Sequence, residues 1–178
     1  KKKKKTVNNA SGTSITMAKG TVFTTTVKDT SYQYITNSDF TTTPIGGVYK
    51  FSSVPIYEGT LVTFKYTNDS SDSDQKFIIP SDRADTSTLQ VRVQNSLTDT
   101  TTETYALAGG YNSVTKDSKV YFIQEGKDGR YEIYFGDGIN GKALVDGNII
   151  ILDYIVTNVD ESNGANSFGL SGTIGGFS

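Results

Sequence analysis

The 178 residues predict an all-β protein, and three observations carry that expectation. Thr, Ser, Tyr, Phe, Val and Ile are abundant beside 18 Gly and only three Pro. The β-branched and aromatic types among them suit a pleated, half-buried surface. No window of helical length holds apolar residues at three- and four-residue spacing without a Gly or a β-branched pair interrupting it. Short alternating runs recur instead, separated by Gly- and Asp-rich turns. The expected architecture is antiparallel hairpins and a meander in a sandwich-like body, divided into two small β subdomains with little helix.

Residues 1–18, five lysines and a polar stretch, read as a disordered or linker segment. A subdomain of hairpins is expected over 19–75. There Val22, Thr24 and Thr26 alternate with Phe23, Thr25 and Val27. Residues 31–36 place Tyr32, Tyr34 and Thr36 on one face, and Lys28-Asp29-Thr30 turns the chain between the two runs. Gly46-Gly47 precedes a strand at 48–51, and Glu58-Gly59 leads into an alternating strand at 60–67. Residues 68–75 (NDSSDSDQ) hold no apolar group and cannot offset the entropy of ordering, so they are expected to be an exposed loop and the internal boundary.

A meander subdomain is expected over 76–160. Residues 76–80 form a short strand stopped by Pro80, and Ser81 caps a helical turn over 81–85. Leu89, Val91 and Val93 point inward while Gln90, Arg92 and Gln94 point out; a strand follows at 102–107. Val120, Phe122 and Gln124 then alternate with Tyr121, Ile123 and Glu125. After a Gly-Lys-Asp-Gly turn, Tyr131, Ile133 and Phe135 alternate with Glu132 and Tyr134, a strong hairpin signal. The run 149–156 is apolar on both faces except at Asp153. It reads as a buried central strand that completes a three-stranded meander with this hairpin. Residues 161–178 are a Gly/Ser-rich tail in which Phe168, Leu170, Ile174 and Phe177 can pack.

The formal charge of −2 hides an asymmetry. Lys1 to Lys5 contribute +5, so the remaining 12 basic and 19 acidic groups leave the body at −7. A negative body repels phosphate, which argues against nucleic acid as a partner. The lysine run could be an arm for nucleic acid or acidic lipid, but without interleaved aromatics a solvated terminus is the plainer reading. With no Cys, disulfides and thiolate chemistry are excluded, and with no His the usual base near neutral pH is missing. No apolar run reaches the roughly 18 residues that a membrane helix needs, and no membrane or small-molecule partner is expected.

Three phrases carry a resemblance. The first comprises Phe135-Gly136-Asp137-Gly138, Gly141-Lys142, Leu144, Asp146-Gly147-Asn148 and Tyr154. The second is Lys19-Gly20-Thr21-Val22-Phe23, with Ala18 where a proline would be usual. The third runs from Asp85 to Gln94 (DTSTLQVRVQ) after Phe77-Ile78-Ile79-Pro80. Together they resemble the baseplate wedge proteins of T-even-like contractile-tailed phages, within the baseplate J-like group, over roughly residues 20–160. The resemblance implies an internal or C-terminal piece of a structural subunit in the virion, assembled in the host cytoplasm. Such a subunit associates with itself, as a dimer or ring, and with other wedge proteins. It implies no enzymatic residues and no cofactor.

Other chemistry is weighed against blander readings. The loops 126–129 and 136–141 look like phosphate cradles, yet neither precedes a helix or ends in Gly-Lys-Ser/Thr, so they read as turns. Asp137, Asn140 and Asp146, or Asp69, Asp72 and Asp74, could offer oxygens to calcium; no EF-hand phase is present, and Asp in turns more often caps its own backbone. Glu125 and Glu132 across a hairpin could form a glycosidase pair but suit a solvated rim. Tyr121, Tyr131, Tyr134 and Tyr154 could stack sugars, the basis of an alternative reading as a carbohydrate- or receptor-binding adhesin module. Core or interface filling is the plainer role.

No catalytic, metal or cofactor site is therefore expected. Gly136, Asp137, Gly138, Gly141, Asp146 and Gly147 are assigned to structural turns, with special dihedrals at Gly136, Gly138 and Gly147. Phe122, Tyr134, Phe135, Leu144, Ile150, Leu152 and Tyr154 are assigned to the framework. Phe23, Tyr32, Tyr34, Gln90, Arg92 and Asp153 are interface candidates. Asp153 must be paired or face a contact, with Lys142, Arg130 or Arg92 as partner by type, because an unpaired buried charge is very costly.

Overall fold

The computed structural model describes residues 2–7, 12–109, 114–158 and 162–176, so Lys1 and Phe177 lie outside it. The protein is all-β, with 54% strand and 2% helix among the described residues. It forms two compact units, Lys1–Leu61 with Ile155–Ser178, and Val62–Tyr154. That division differs from the expected boundary at 75/76. The loop 68–75 is exposed as expected, but it returns the chain to the unit it left. Gln75 Nε2 donates to Thr67 O at 2.8 Å and Gln75 Oε1 accepts from Asp69 N at 3.0 Å, so its two ends stay together.

Among the described residues, the first unit holds three small sheets. β1 (Lys2–Val7) pairs with β7 (Val48–Pro55), which pairs with β6 (Pro44–Ile45); β2 (Ile15–Met17) pairs with β5 (Phe40–Thr42). The third sheet has the order β16-β3-β4-β8, from Gly169–Ser171, Val22–Val27, Thr30–Ile35 and Tyr57–Glu58. The expected hairpin is β3–β4. Its turn residues Lys28 and Asp29 both have positive φ, 47° and 65°, as a type I′ turn requires to match strand twist.

The two termini depart from expectation. The lysine run is a strand rather than a disordered segment, because alternate residues find partners: Val7 is buried, and Lys3 Nζ lies 3.8 Å from the Phe168 ring centroid. Lys2 and Lys4 stay exposed on this outer strand, where lysine discourages edge-to-edge pairing. The Gly/Ser-rich tail also joins the unit. Ile174 is 1% exposed, Phe168 packs edge-on to Tyr34 at 4.8 Å, and Leu170 pairs with Phe23. Met17, Tyr49, Phe51 and Ile56 complete this core.

The second unit is one sheet of order β10-β14-β13-β12-β11-β15-β9, nearly closed into a barrel. Its strands are β9 (Thr60–Thr67), β10 (Phe77–Ile78), β11 (Ala84–Gln94), β12 (Thr102–Leu107), β13 (Val120–Glu125), β14 (Tyr131–Phe135) and β15 (Ile149–Val156). The two end strands meet through side chains: Tyr66 OH on β9 donates to Ile78 O on β10 at 2.6 Å. Phe64, Tyr66, Phe77, Phe135 and Tyr105 form a chain of edge-to-face rings with centroids 5.0 to 5.7 Å apart.

Two local expectations give way here. β15 does not extend the β13–β14 hairpin into a meander; it lies between β11 and β9, and the far edge of β14 is taken by β10. A strand buried on both faces, with Ile150 and Leu152 fully covered, belongs between two partners. No helical turn forms at 81–85, because Ser81 Oγ accepts from Arg83 N in a tight turn and the strand starts at Ala84.

Candidate functional site

The β13–β14 hairpin lines two hollows in the second unit. Its register pairs Phe122 with Tyr134 and Gln124 with Glu132, so these four side chains leave one face. Tyr121 and Ile133, on the opposite face, are buried. A groove of about 770 Å³ runs over Phe122, Gln124 and Tyr134 to Leu107, Asp137 and Asn140. A second hollow of about 600 Å³ adjoins at Gln124 and continues past Glu132 to Lys76, Asp128 and Arg130.

The groove's polar groups are held in place. Gln124 Nε2 donates to the Tyr134 hydroxyl, which fixes the ring with 36% of the residue exposed. Partial desolvation, and then the neighbouring Glu132 carboxylate, raise the Tyr134 phenol above its ordinary pKa. Glu132 is itself buried, 3.6 Å from Lys76 Nζ. At the other end Asp137 Oδ1 accepts from Asn140 N at 2.8 Å and Ile139 N at 2.9 Å, and these bonds hold its carboxyl below the usual range.

The loop behind Asp137 is built by glycine. Gly136 crosses Gly141 so closely that a Cβ on Gly136 would lie 2.1 Å from the Gly141 carbonyl carbon. Gly138 (φ 85°), Gly141 (φ 100°) and Gly147 (φ 76°) occupy the left-handed region; the need at Gly136 is close approach, and the special dihedral expected there is absent. The loop is anchored by Gly141 N to Thr115 O at 3.0 Å and Lys142 N to Ser118 O at 2.8 Å. Glu103 binds Lys119 at 2.8 Å and Lys142 at 2.5 Å, and the Lys119 hydrogen bond, then that from Lys142, lowers its pKa. Asp146 accepts from Ser70 N at 2.9 Å, tying this turn to the 68–75 loop.

Other candidate residues are scattered. Glu125 is exposed and Glu132 buried at alternate pleat positions, so the hairpin does not face them at each other. Of the four tyrosines, Tyr121 and Tyr154 are buried and Tyr131 is half-buried, leaving Tyr134 as the most exposed; it therefore belongs to the surface, not the framework. Asp69 and Asp72 accept from Ser71 N and Asp74 N, the local capping that Asp favours in turns. The loop 126–129 is a hairpin turn closed by Gly126 N to Arg130 O at 2.7 Å.

Among the interface candidates, Phe23 and Tyr34 are 4% and 3% exposed. Strand alternation turns them into the core, and Tyr34 OH donates to Ser162 Oγ at 2.9 Å. They are not available to a partner. Tyr32 and Gln90 remain half-buried. Asp153, 2% exposed, pairs with Arg92 at 2.8 Å and accepts from Thr63 Oγ1 at 2.5 Å, a ladder across three adjacent strands.

Sequence reasoning missed Leu107, Ala108 and Gln124 as groove residues. The outward phase of Gln124 beside Tyr134 was a usable signal. The parallel pairing of β12 with β13, which brings Leu107 beside Tyr121, has no local signature. In comparison with known proteins, no family model and no curated protein matches this chain.

Proposed function

We propose that this chain is a structural subunit of a phage tail baseplate wedge, acting as a scaffold through self-association and contacts with other baseplate proteins in the virion. The observation that carries this reading is how the phrase Phe135-Gly136-Asp137-Gly138…Gly141-Lys142 is used. Gly136 crosses Gly141, Asp137 caps its own turn, Lys142 clamps Glu103, and Phe135 joins the ring chain. The most idiosyncratic residues of the chain therefore serve backbone architecture. The three phrases that resemble wedge proteins all fall on strands or the turns that join them.

The mechanism is geometric. Stiff sheets hold their loops and edges at fixed positions, so neighbouring subunits can close a ring and re-dock when the tail contracts. Exposed apolar side chains such as Ile45 (80%) and Leu97 (79%) suit burial against neighbours, at about 800 Å² per partner for a stable contact. Immunogold labelling of purified contractile-tailed particles encoding this chain tests the proposal. Gold at the tail tip is expected; particles that lack the chain would overturn it.

A further inference from the structure

The β13–β14 groove has a chemistry that scaffolding does not use. We infer that it is a binding subsite for a neutral oligosaccharide, with Tyr134 as the stacking platform.

Recognition of a sugar needs an aromatic face for its C–H surface and planar polar groups for its hydroxyls. Tyr134 supplies the face: its ring is partly open to solvent and its hydroxyl is tied to Gln124, so little side-chain entropy remains to be lost on binding. Phe122, directly across the hairpin from Tyr134, adds apolar surface to the groove lining. The Gln124 and Asn140 amides and the Asp137 carboxylate belong to the same lining. Asp137 Oδ1 is engaged by its own loop, an arrangement that pre-orients the carboxylate.

Charge narrows the ligand. Carboxylates at Glu125, Asp128, Glu132 and Asp137 outnumber Lys76 and Arg130 along the two hollows, which disfavours an acidic sugar. The two hollows, of about 770 and 600 Å³ and both lined by Gln124, have room for more than a single sugar ring.

Calorimetric titration of the full chain with neutral gluco-, manno- and N-acetylglucosamine hexasaccharides, and with oligogalacturonate as an acidic control, tests the assignment. At least one neutral hexasaccharide should bind with a Kd of about 1 mM or tighter. Tyr134→Ala should weaken it by about tenfold or more, Asn140→Ala by a smaller factor, and Tyr134→Phe by less than Tyr134→Ala. Leu97→Ala, exposed and outside the groove, should leave it unchanged. No neutral binding at about 10 mM, binding of the acidic control alone, or binding that survives both alanine variants would overturn it. Because assembly is not the readout, failure here leaves the baseplate proposal standing, and the reverse also holds.

Discussion

Asp153 carries a charge within a strand that is otherwise aliphatic or aromatic, and its neighbours explain how. Arg92 on one side and Thr63 on the other supply two of its hydrogen bonds. Arg92→Ala should therefore cost more than a surface substitution. Breaking a buried pair typically costs about 3 to 5 kcal/mol, and the 37% exposure of the Arg92 side chain brings the expectation down to about 2 kcal/mol in urea unfolding. An unchanged midpoint would contradict the assigned role. Gly136→Ala should be at least as damaging, about 3 kcal/mol, because its Cβ meets backbone that cannot step aside. Gly129→Ala, at a positive φ of 69° but with nothing within 4 Å of the added Cβ, should cost only about 1 kcal/mol. If the two alanine variants unfold together, close packing at Gly136 is not the reason for glycine there.

Barrel closure in the second unit depends on Tyr66 more than on backbone pairing between its end strands. Tyr66→Phe keeps the ring contacts and loses one hydrogen bond, so about 1 kcal/mol is expected; Tyr66→Ala should cost about 3 to 4 kcal/mol. Amide exchange should quicken at Phe77 and Ile78 in the alanine variant, and protection that stays unchanged would sink this view of closure. Burial raises the phenol pKa of Tyr66, Tyr105, Tyr121 and Tyr154. The folded state therefore favours the neutral phenol. That contribution is full below the unfolded value near about 10 and is lost as pH rises through the higher folded values. Stability measured from pH 8 to 11.5 should fall steeply above about 10, and a flat profile would contradict burial of these rings.

For the molecule as a whole, legibility followed range. Period-two alternation and turn chemistry act between near neighbours, so the β3–β4 and β13–β14 hairpins and the two-sided burial of β15 could be read directly. The placement of β15 between β11 and β9, the parallel β12–β13 pair and the return of the C-terminal residues to the first core depend on long-range packing, which no local pattern encodes. The lysine strand was missed because composition describes a solvated run well and a paired edge poorly. Of the groove, the outward Tyr134 was legible as a type and Leu107 was not. The proposed scaffold role is tested most directly by mass, using multi-angle light scattering on this chain across a concentration series. A dimer or closed ring, from this chain alone or with another tail protein added, is the expected result. A monomer at every concentration that also ignores the other tail proteins would contradict it.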